Sequence, residues 1–307
     1  MATATHTQND RNRTTVLALI VLVGISCAAL LAGQIDRMRP PDDPNTLDES
    51  LYLDGKTARR ISLGFNGLAA DWYWMRSLQY VGHKVLNHGD VPIDDLGLLN
   101  LKLLAPLLDT ATTLDPEFID PYEYAAIVLP SIDVDQAIRI TQKGIAANPN
   151  AWRLYHHLGY IYWQQHNYRM ASETYGRGAQ APGAPAWMEA MRAKMAADGG
   201  SRDTAREIYT RMYEQSSDVK VKDMARLRLL QLDSMDQRDG LRGMLVAYQA
   251  RTGSCPNSWA ELAPVFRALR IPVDASGAPV DPAGAPYVLK AGACEVELDP
   301  QSEIPVK

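Results

Sequence analysis

Cysteine is scarce in this chain: three in 307 residues, at Cys27, Cys255 and Cys294. So few exclude a disulfide-stapled scaffold, and their spacing is not that of a zinc site. An excess of positive charge is also missing. The formal net charge of −5 excludes a protein that holds nucleic acid through its bulk electrostatics. Chemistry-bearing motifs are absent as well: there is no Gly-rich phosphate loop, HExxH, CxxC, GxSxG or EF-hand pattern. The chain is therefore read as having no catalytic residue, cofactor or metal. What is present is an ordinary globular balance, 46% apolar and 22% charged residues, too hydrophobic for a disordered chain. The length accommodates two domains or one long repeat array.

Val16 to Gly33 is an uncharged run of 18 residues. At about 1.5 Å per residue it nearly crosses a hydrocarbon core of about 30 Å, so it reads as one transmembrane helix. A cleaved signal peptide is the competing reading, although its apolar region is usually shorter and its cleavage site is weak here. Cys27, inside the run, lacks the leucine and small residues that precede a lipidated cysteine and is taken as a small apolar residue. Arg11 and Arg13 precede the span, against Arg37 and Arg39 after it. The positive-inside rule then keeps residues 1–15 cytoplasmic and exports the body to the periplasm or another extracytoplasmic space. The exported part is acidic. Residues 34–50, rich in Pro and Asp, suit a stiff, solvated linker.

Internal repetition dominates the middle of the chain, residues 51–236. Ala137, Ala171 and Ala205 stand 34 residues apart, as do Ala125, Gly159 and Ala193, and Thr141, Tyr175 and Tyr209. Pro116, Pro149 and Pro182 follow at a step of 33, each closing a helical pattern. A fixed period of this length implies one helix pair per repeat. The central copy carries Tyr155, Leu158, Gly159, Tyr162, Ala171, Tyr175 and Pro182 and resembles a tetratricopeptide repeat (TPR). In that family the small residues would let two helices approach closely while the leucine and rings fill the space between repeats. The flanking copies depart from the pattern at Pro121, Arg192 and Met212. The resemblance implies a mainly α protein, a TPR-type α-solenoid of helix pairs.

Upstream, residues 64–116 repeat the helix, loop, helix, Pro arrangement and read as a divergent first repeat. The first of its helices has two apolar stripes, Leu68, Trp72 and Met75 against Trp74, Leu78 and Val81. Two partner helices would bury both stripes; alternatively Trp72, Trp74 and Arg76 meet the membrane surface or a membrane partner. A last pair of helices, Val219 to Met235 and Asp239 to Gly253, continues or caps the array.

Residues 237–307 read as a small α+β tail. Asp281-Pro282-Ala283-Gly284 is a strong turn, and YVLKAGACEVELD alternates as two short strands around Ala291-Gly292. The order Tyr248, Gly253, Pro256, Trp259, Leu262, then Asp281-Pro282, Gly284, Pro286 and Tyr287 resembles the C-terminal half of the major pseudopilin of type II secretion systems. The pilin N-terminal helix with its processing site is missing. In an exported compartment a Cys255–Cys294 bridge competes with two buried free thiols.

His156, His157 and His166 fall within one repeat, but adjacent histidines leave a helix in different directions and do not form the i, i+4 pair of a helical metal site. His83 and His88 flank a loop and fit no motif spacing, and Asp42-Asp43 and Asp94-Asp95 read as solvated turns. In TPR arrays the first helix of each repeat lines a concave groove. Carrying those positions over gives Tyr122, Arg153, His156, Tyr160, Trp163, Gln164, Trp187 and Lys194, an aromatic surface suited to an extended peptide or a helix. His156 and Tyr160 stand where the family's carboxylate-clamp members carry polar clamp residues, so a terminal carboxylate is not the ligand expected. The reading is a single-pass, extracytoplasmic scaffold for protein–protein interaction in cell-envelope assembly, with a secretion or pilus-like system suggested by the tail. The alternatives are a solute-binding module, or an accessory subunit or assembly factor of a membrane enzyme complex.

Overall fold

A computed structural model describes residues 16, 19, 21–34, 52–87 and 96–305. Residues 1–15, most of the 34–50 linker, part of the apolar run, His88 and Asp94-Asp95 lie outside the described residues. Residues 21–34 are helical, and no helix among the described residues is long and apolar enough to cross a membrane. The chain divides into two compact units, Met1–Asp54 and Gly55–Lys307.

The second unit opens with α1 (Gly55–Ile61), α2 (Asn66–Asn87) and α3 (Leu104–Leu114). α3 is buried nearly all round, and both α1 and α2 lie on it. A Cβ on Gly55 would fall 2.7 Å from Thr113 Cβ, so α1 sits on α3 at a separation only glycine permits. α2 turns Ala70, Tyr73, Ser77, Tyr80 and Val81 inward, the i, i+3, i+7 rhythm of a packed face. Trp74 also packs inward, edge-on to Phe118 and Tyr124 at 6.1 and 5.3 Å. The expectation of partners for both stripes is corrected: Leu68, Trp72 and Met75 remain exposed. Among the described residues no helix covers that side; α3 and, at Trp74, α4 meet the opposite one.

Six helices then follow as three pairs: α4 (Ile119–Val128) with α5 (Val134–Ala147), α6 (Trp152–Gln164) with α7 (Tyr168–Ala179), and α8 (Trp187–Asp198) with α9 (Arg202–Gln215). All nine residues of the three 34-residue columns are buried, the first helix of each pair contributing Ala125, Gly159 or Ala193 and the second the other two. The close approaches are specific. A Cβ on Gly159 would stand 2.7 Å from Cε2 of Tyr175, one on Gly144 2.7 Å from Cγ of Tyr122, and one on Gly178 2.5 Å from Cβ of Tyr155. The second helices begin at Asp133, Asn167 and Ser201, again 34 apart. Asp133 accepts from Gln136 N at 3.0 Å and Asn167 from Met170 N at 3.2 Å, satisfying amides that a helix start leaves unpaired. Lys143 ties α5 to α3 through Asp109 Oδ1 at 2.8 Å and Thr113 Oγ1 at 2.6 Å.

The tail is organised by one long helix, α10 (Val219–Thr252), of 34 residues. Sequence reading placed a break between Met235 and Asp239 and a boundary at 236/237; the helix runs straight through both. The helix contains no proline, and its two glycines, Gly240 and Gly243, each cost only about 1 kcal/mol. Asp233, Asp236 and Asp239 on one face are met by Arg202 and Arg206 of α9, with contacts of 2.6 Å for Arg202–Asp239 and Arg206–Asp236. Leu232 packs with α9, whereas Leu241 and Leu245 pack with Trp259, Leu262, Phe266, Tyr287 and Val296. Gly253, with φ of 82°, ends the helix.

Beyond it come a single 3₁₀ turn (Trp259–Leu262), α11 (Ala263–Leu269) and the antiparallel pair β1 (Val288–Lys290) and β2 (Glu295–Glu297), in register Leu289↔Val296. The hairpin lies where alternation in the sequence puts it. Asp281 is buried and its Oδ1 accepts from the Ala283 and Ala285 amides at 2.8 and 2.9 Å, closing the turn that Gly284 completes at φ 95°. Trp259 Nε1 donates to the Tyr287 carbonyl at 2.8 Å, and the Tyr287 hydroxyl reaches Ser234 Oγ at 3.0 Å. Cys255 and Cys294 are joined by a disulfide, their Cα atoms 5.6 Å apart.

Candidate functional site

The central helix α6 has two very different sides. Leu154, Leu158 and Ile161 are buried, whereas His156, Tyr160 and Gln164, spaced by four, face away from that core. Opposite them stand α4 and the 3₁₀ turn Leu129–Ser131 after it. Between the walls is a groove of about 520 Å³ lined by Ala126, Ile127, Pro130, Ser131, His156, His157, Tyr160 and Gln164. Pro130 has no N–H to donate, which helps end α4 and turns the chain sharply enough to leave the gap. Ile127 is 63% exposed, an apolar side chain held open on the groove wall.

The lining carries no formal charge at neutral pH. The two imidazoles lie 5.3 Å apart. Burial pushes the pKa of His157 down to about 4, helped by His156 and Arg153, and burial lowers His156 too. Both rings are therefore neutral in solution near pH 7. Beneath them burial raises the Tyr175 hydroxyl to about 12, so it stays a donor. His156 Nδ1 and the Tyr175 hydroxyl are both buried without a hydrogen-bond partner. Unmet capacity of this kind is uncommon in packed proteins and costs about 1–3 kcal/mol per group. A neutral groove lined by an isoleucine, two imidazoles and a tyrosine ring suits amide and apolar groups better than ions.

One end of the groove carries an aromatic rim. Trp187, 40% exposed, meets His156 edge-on at 4.9 Å and Trp152 at 5.7 Å. Arg153 is exposed and lies over the Trp152 ring at 5.2 Å.

The eight positions inferred from sequence thus separate. His156, Tyr160 and Gln164 line the groove, and Trp187 and Arg153 lie at its rim. Trp163 is half-buried between Tyr160, at 5.5 Å, and Lys194, at 5.9 Å. Lys194 pairs with Asp198 at 2.6 Å and lines a different cavity of about 460 Å³ with Tyr209, Arg228, Gln231 and Arg238. Tyr122 is a correction: it is wholly buried, its ring fills the notch left by Gly144, and its hydroxyl donates to the Thr112 carbonyl at 3.3 Å. The position that would face a groove faces the core instead. Sequence reasoning missed Ala126, Ile127, Pro130, Ser131 and His157. The Leu129-Pro130 break after α4 was the available signal for a second wall. Among the described residues no group of three or more His, Cys, Asp or Glu side chains converges as metal ligands.

The buried imidazole makes stability depend on pH. The unfolded chain takes up a proton on His157 near pH 6.5, whereas the folded chain resists it until about pH 4. Between those limits the unfolded state binds more protons, so stability is full above about pH 6.5 and falls as the solution is acidified toward 4. Denaturant midpoints measured across this window are expected to decline for the native chain and to decline less for His157→Gln. Identical slopes would show that His157 is solvated.

Comparison with protein-family models and with curated proteins finds no match to this chain.

Proposed function

We propose that this protein is a membrane-anchored, extracytoplasmic scaffold of the tetratricopeptide kind, whose groove between α4 and α6 holds an extended or helical segment of a partner protein during cell-envelope assembly. The observation that carries this reading is the groove itself. It is neutral, about 520 Å³ in volume, walled by the exposed Ile127 and by Tyr160, and rimmed by Trp187. Aromatic anchors in a concave surface are the usual source of binding energy in such recognition. The repeat reading is supported by the burial of all three 34-residue columns, the anchor by the uncharged run Val16 to Gly33. A secretion or pilus-like partner rests on the likeness of the tail's motif to a pseudopilin, which is a fold-level argument alone.

A photo-reactive residue at Tyr160, in full-length protein within membranes, is expected to crosslink one protein partner. The same probe at Tyr213, exposed on α9, should not capture it. Ile127→Asp should abolish the crosslink, because a buried, unpaired carboxylate is costly. Equal capture at both positions would reject the groove. The volume also falls in the range of small-molecule sites, about 300–1,000 Å³, which sustains the solute-binding reading. Retention of a small molecule by the purified chain, lost in Ile127→Asp, would favour it.

A further inference from the structure

An apolar surface runs from the end of α1 onto the outer side of α2. Ile61, Leu63, Phe65, Leu68, Trp72 and Met75 are 58, 85, 71, 70, 52 and 52% exposed. Phe65 is one of three phenylalanines in the chain, and its exposure contrasts with the 2% of Phe266. Scattered exposed hydrophobics are ordinary, but six within fifteen residues are a concentration that asks for an occupant. Its geometry is particular. Leu68, Trp72 and Met75 follow the helical i, i+4, i+7 rhythm on α2. The turn before them holds Leu63 at φ 50° and Gly64 at φ 94°. A leucine in the left-handed region is uncommon and strained, and here the strained residue is the most exposed of the six.

Charge narrows the choice of occupant. Arg59 and Arg60 are exposed at the C-terminal end of α1, and the Arg76 guanidinium lies over the Trp72 ring at 5.3 Å. Across Gly55 to Asn87 the basic residues are Lys56, Arg59, Arg60, Arg76 and Lys84, and Asp71 is the only acid. This segment is basic within a chain of net charge −5. A tryptophan and a phenylalanine in an apolar face edged by arginines is the composition of a surface that lies in a bilayer interface, rings at headgroup level and cations toward anionic phosphates. The partner groove on α4 and α6 has the opposite character, neutral and concave.

We infer that the Ile61–Met75 face docks on a lipid bilayer carrying anionic headgroups. The inference rests on the reading of Val16 to Gly33 as the anchor. The chain from Gln34 to Tyr52 reaches about 60 Å at most when fully extended, so an anchored chain keeps this face within reach of the membrane. Docking there supplies a second membrane contact and fixes which way the body stands.

The test uses the full chain reconstituted into vesicles of phosphatidylcholine and phosphatidylglycerol with acyl chains brominated close to the headgroup, with flotation and tryptophan quenching read on the same sample. The chain is expected to float and its fluorescence to be quenched. Trp72→Phe, conservative at an exposed site, should float equally and lose most of the quenching. Arg59→Glu with Arg60→Glu should reduce quenching in these vesicles, and omission of phosphatidylglycerol should do the same to the native chain. Flotation with quenching unchanged by Trp72→Phe would overturn the docking face and leave the anchor standing. A blue-shifted Trp72 emission that bromine does not quench would also overturn it, assigning the patch to a protein surface. A chain that does not float overturns both readings.

Discussion

Leucine in place of Gly159 is expected to destabilise the protein by about 3 kcal/mol, the upper end for overpacking a well-filled core. Two effects compete. Replacing a mid-helix glycine recovers about 1 kcal/mol of helix propensity. Against that, Cβ alone would already lie 2.7 Å from Cε2 and 2.8 Å from Cδ2 of Tyr175, before the three remaining carbons are placed. Tyr175 is wholly buried in the facing helix and cannot swing into solvent. Strain therefore wins, and the α6–α7 pair is forced apart. Gln164→Ala, at the exposed end of the same helix, should change stability by less than about 0.5 kcal/mol. Urea titrations of both variants beside the native chain decide the matter; coincident midpoints would mean that the 34-residue columns do not mark helix contacts.

Loss of the Cys255–Cys294 bridge should have an effect of similar size. The two residues are 39 apart in sequence, and closing a loop of that length stabilises by about 4 kcal/mol on the chain-entropy account. The small α+β tail has few other resources: two three-residue strands and one cluster around Trp259 and Phe266. Cys255→Ser with Cys294→Ser is expected to shift the unfolding of the tail to lower denaturant, followed through Trp259, which is 7% exposed and sits in that cluster. A reducing agent added to the native chain should reproduce the shift. A stability change of less than about 0.5 kcal/mol would show that the loop is already held closed by α10.

Helices, their pairing and the terminal hairpin were legible in the sequence because period and turn chemistry are local properties. Ala137, Ala171 and Ala205 announce their burial by recurrence alone, and Asp281-Pro282-Ala283-Gly284 announces its turn. What was not legible depends on tertiary balance. Nothing in DSMDQRDG says that arginines from α9 will lie along Asp233, Asp236 and Asp239 and carry a helix across them. The two stripes of α2 look alike in sequence, and only the folded chain shows that Trp74 is covered, by Phe118 and Tyr124, while Trp72 is not. The groove was half legible. One wall follows from four-residue spacing on α6, and the other comes from a helix that turns Tyr122 into the core and Ile127 out of it.

The continuity of α10 has a consequence for how the protein divides. About 51 Å of unbroken helix serves as a shared wall, with Leu232 belonging to the core of the repeats and Leu241 and Leu245 to the core of the tail. Scissors placed at residue 236 would leave each fragment with half a wall and an apolar side open to water. The tail is thus an annex, raised on masonry that the main building also needs, and neither part has an independent boundary at which evolution or an engineer could exchange it whole.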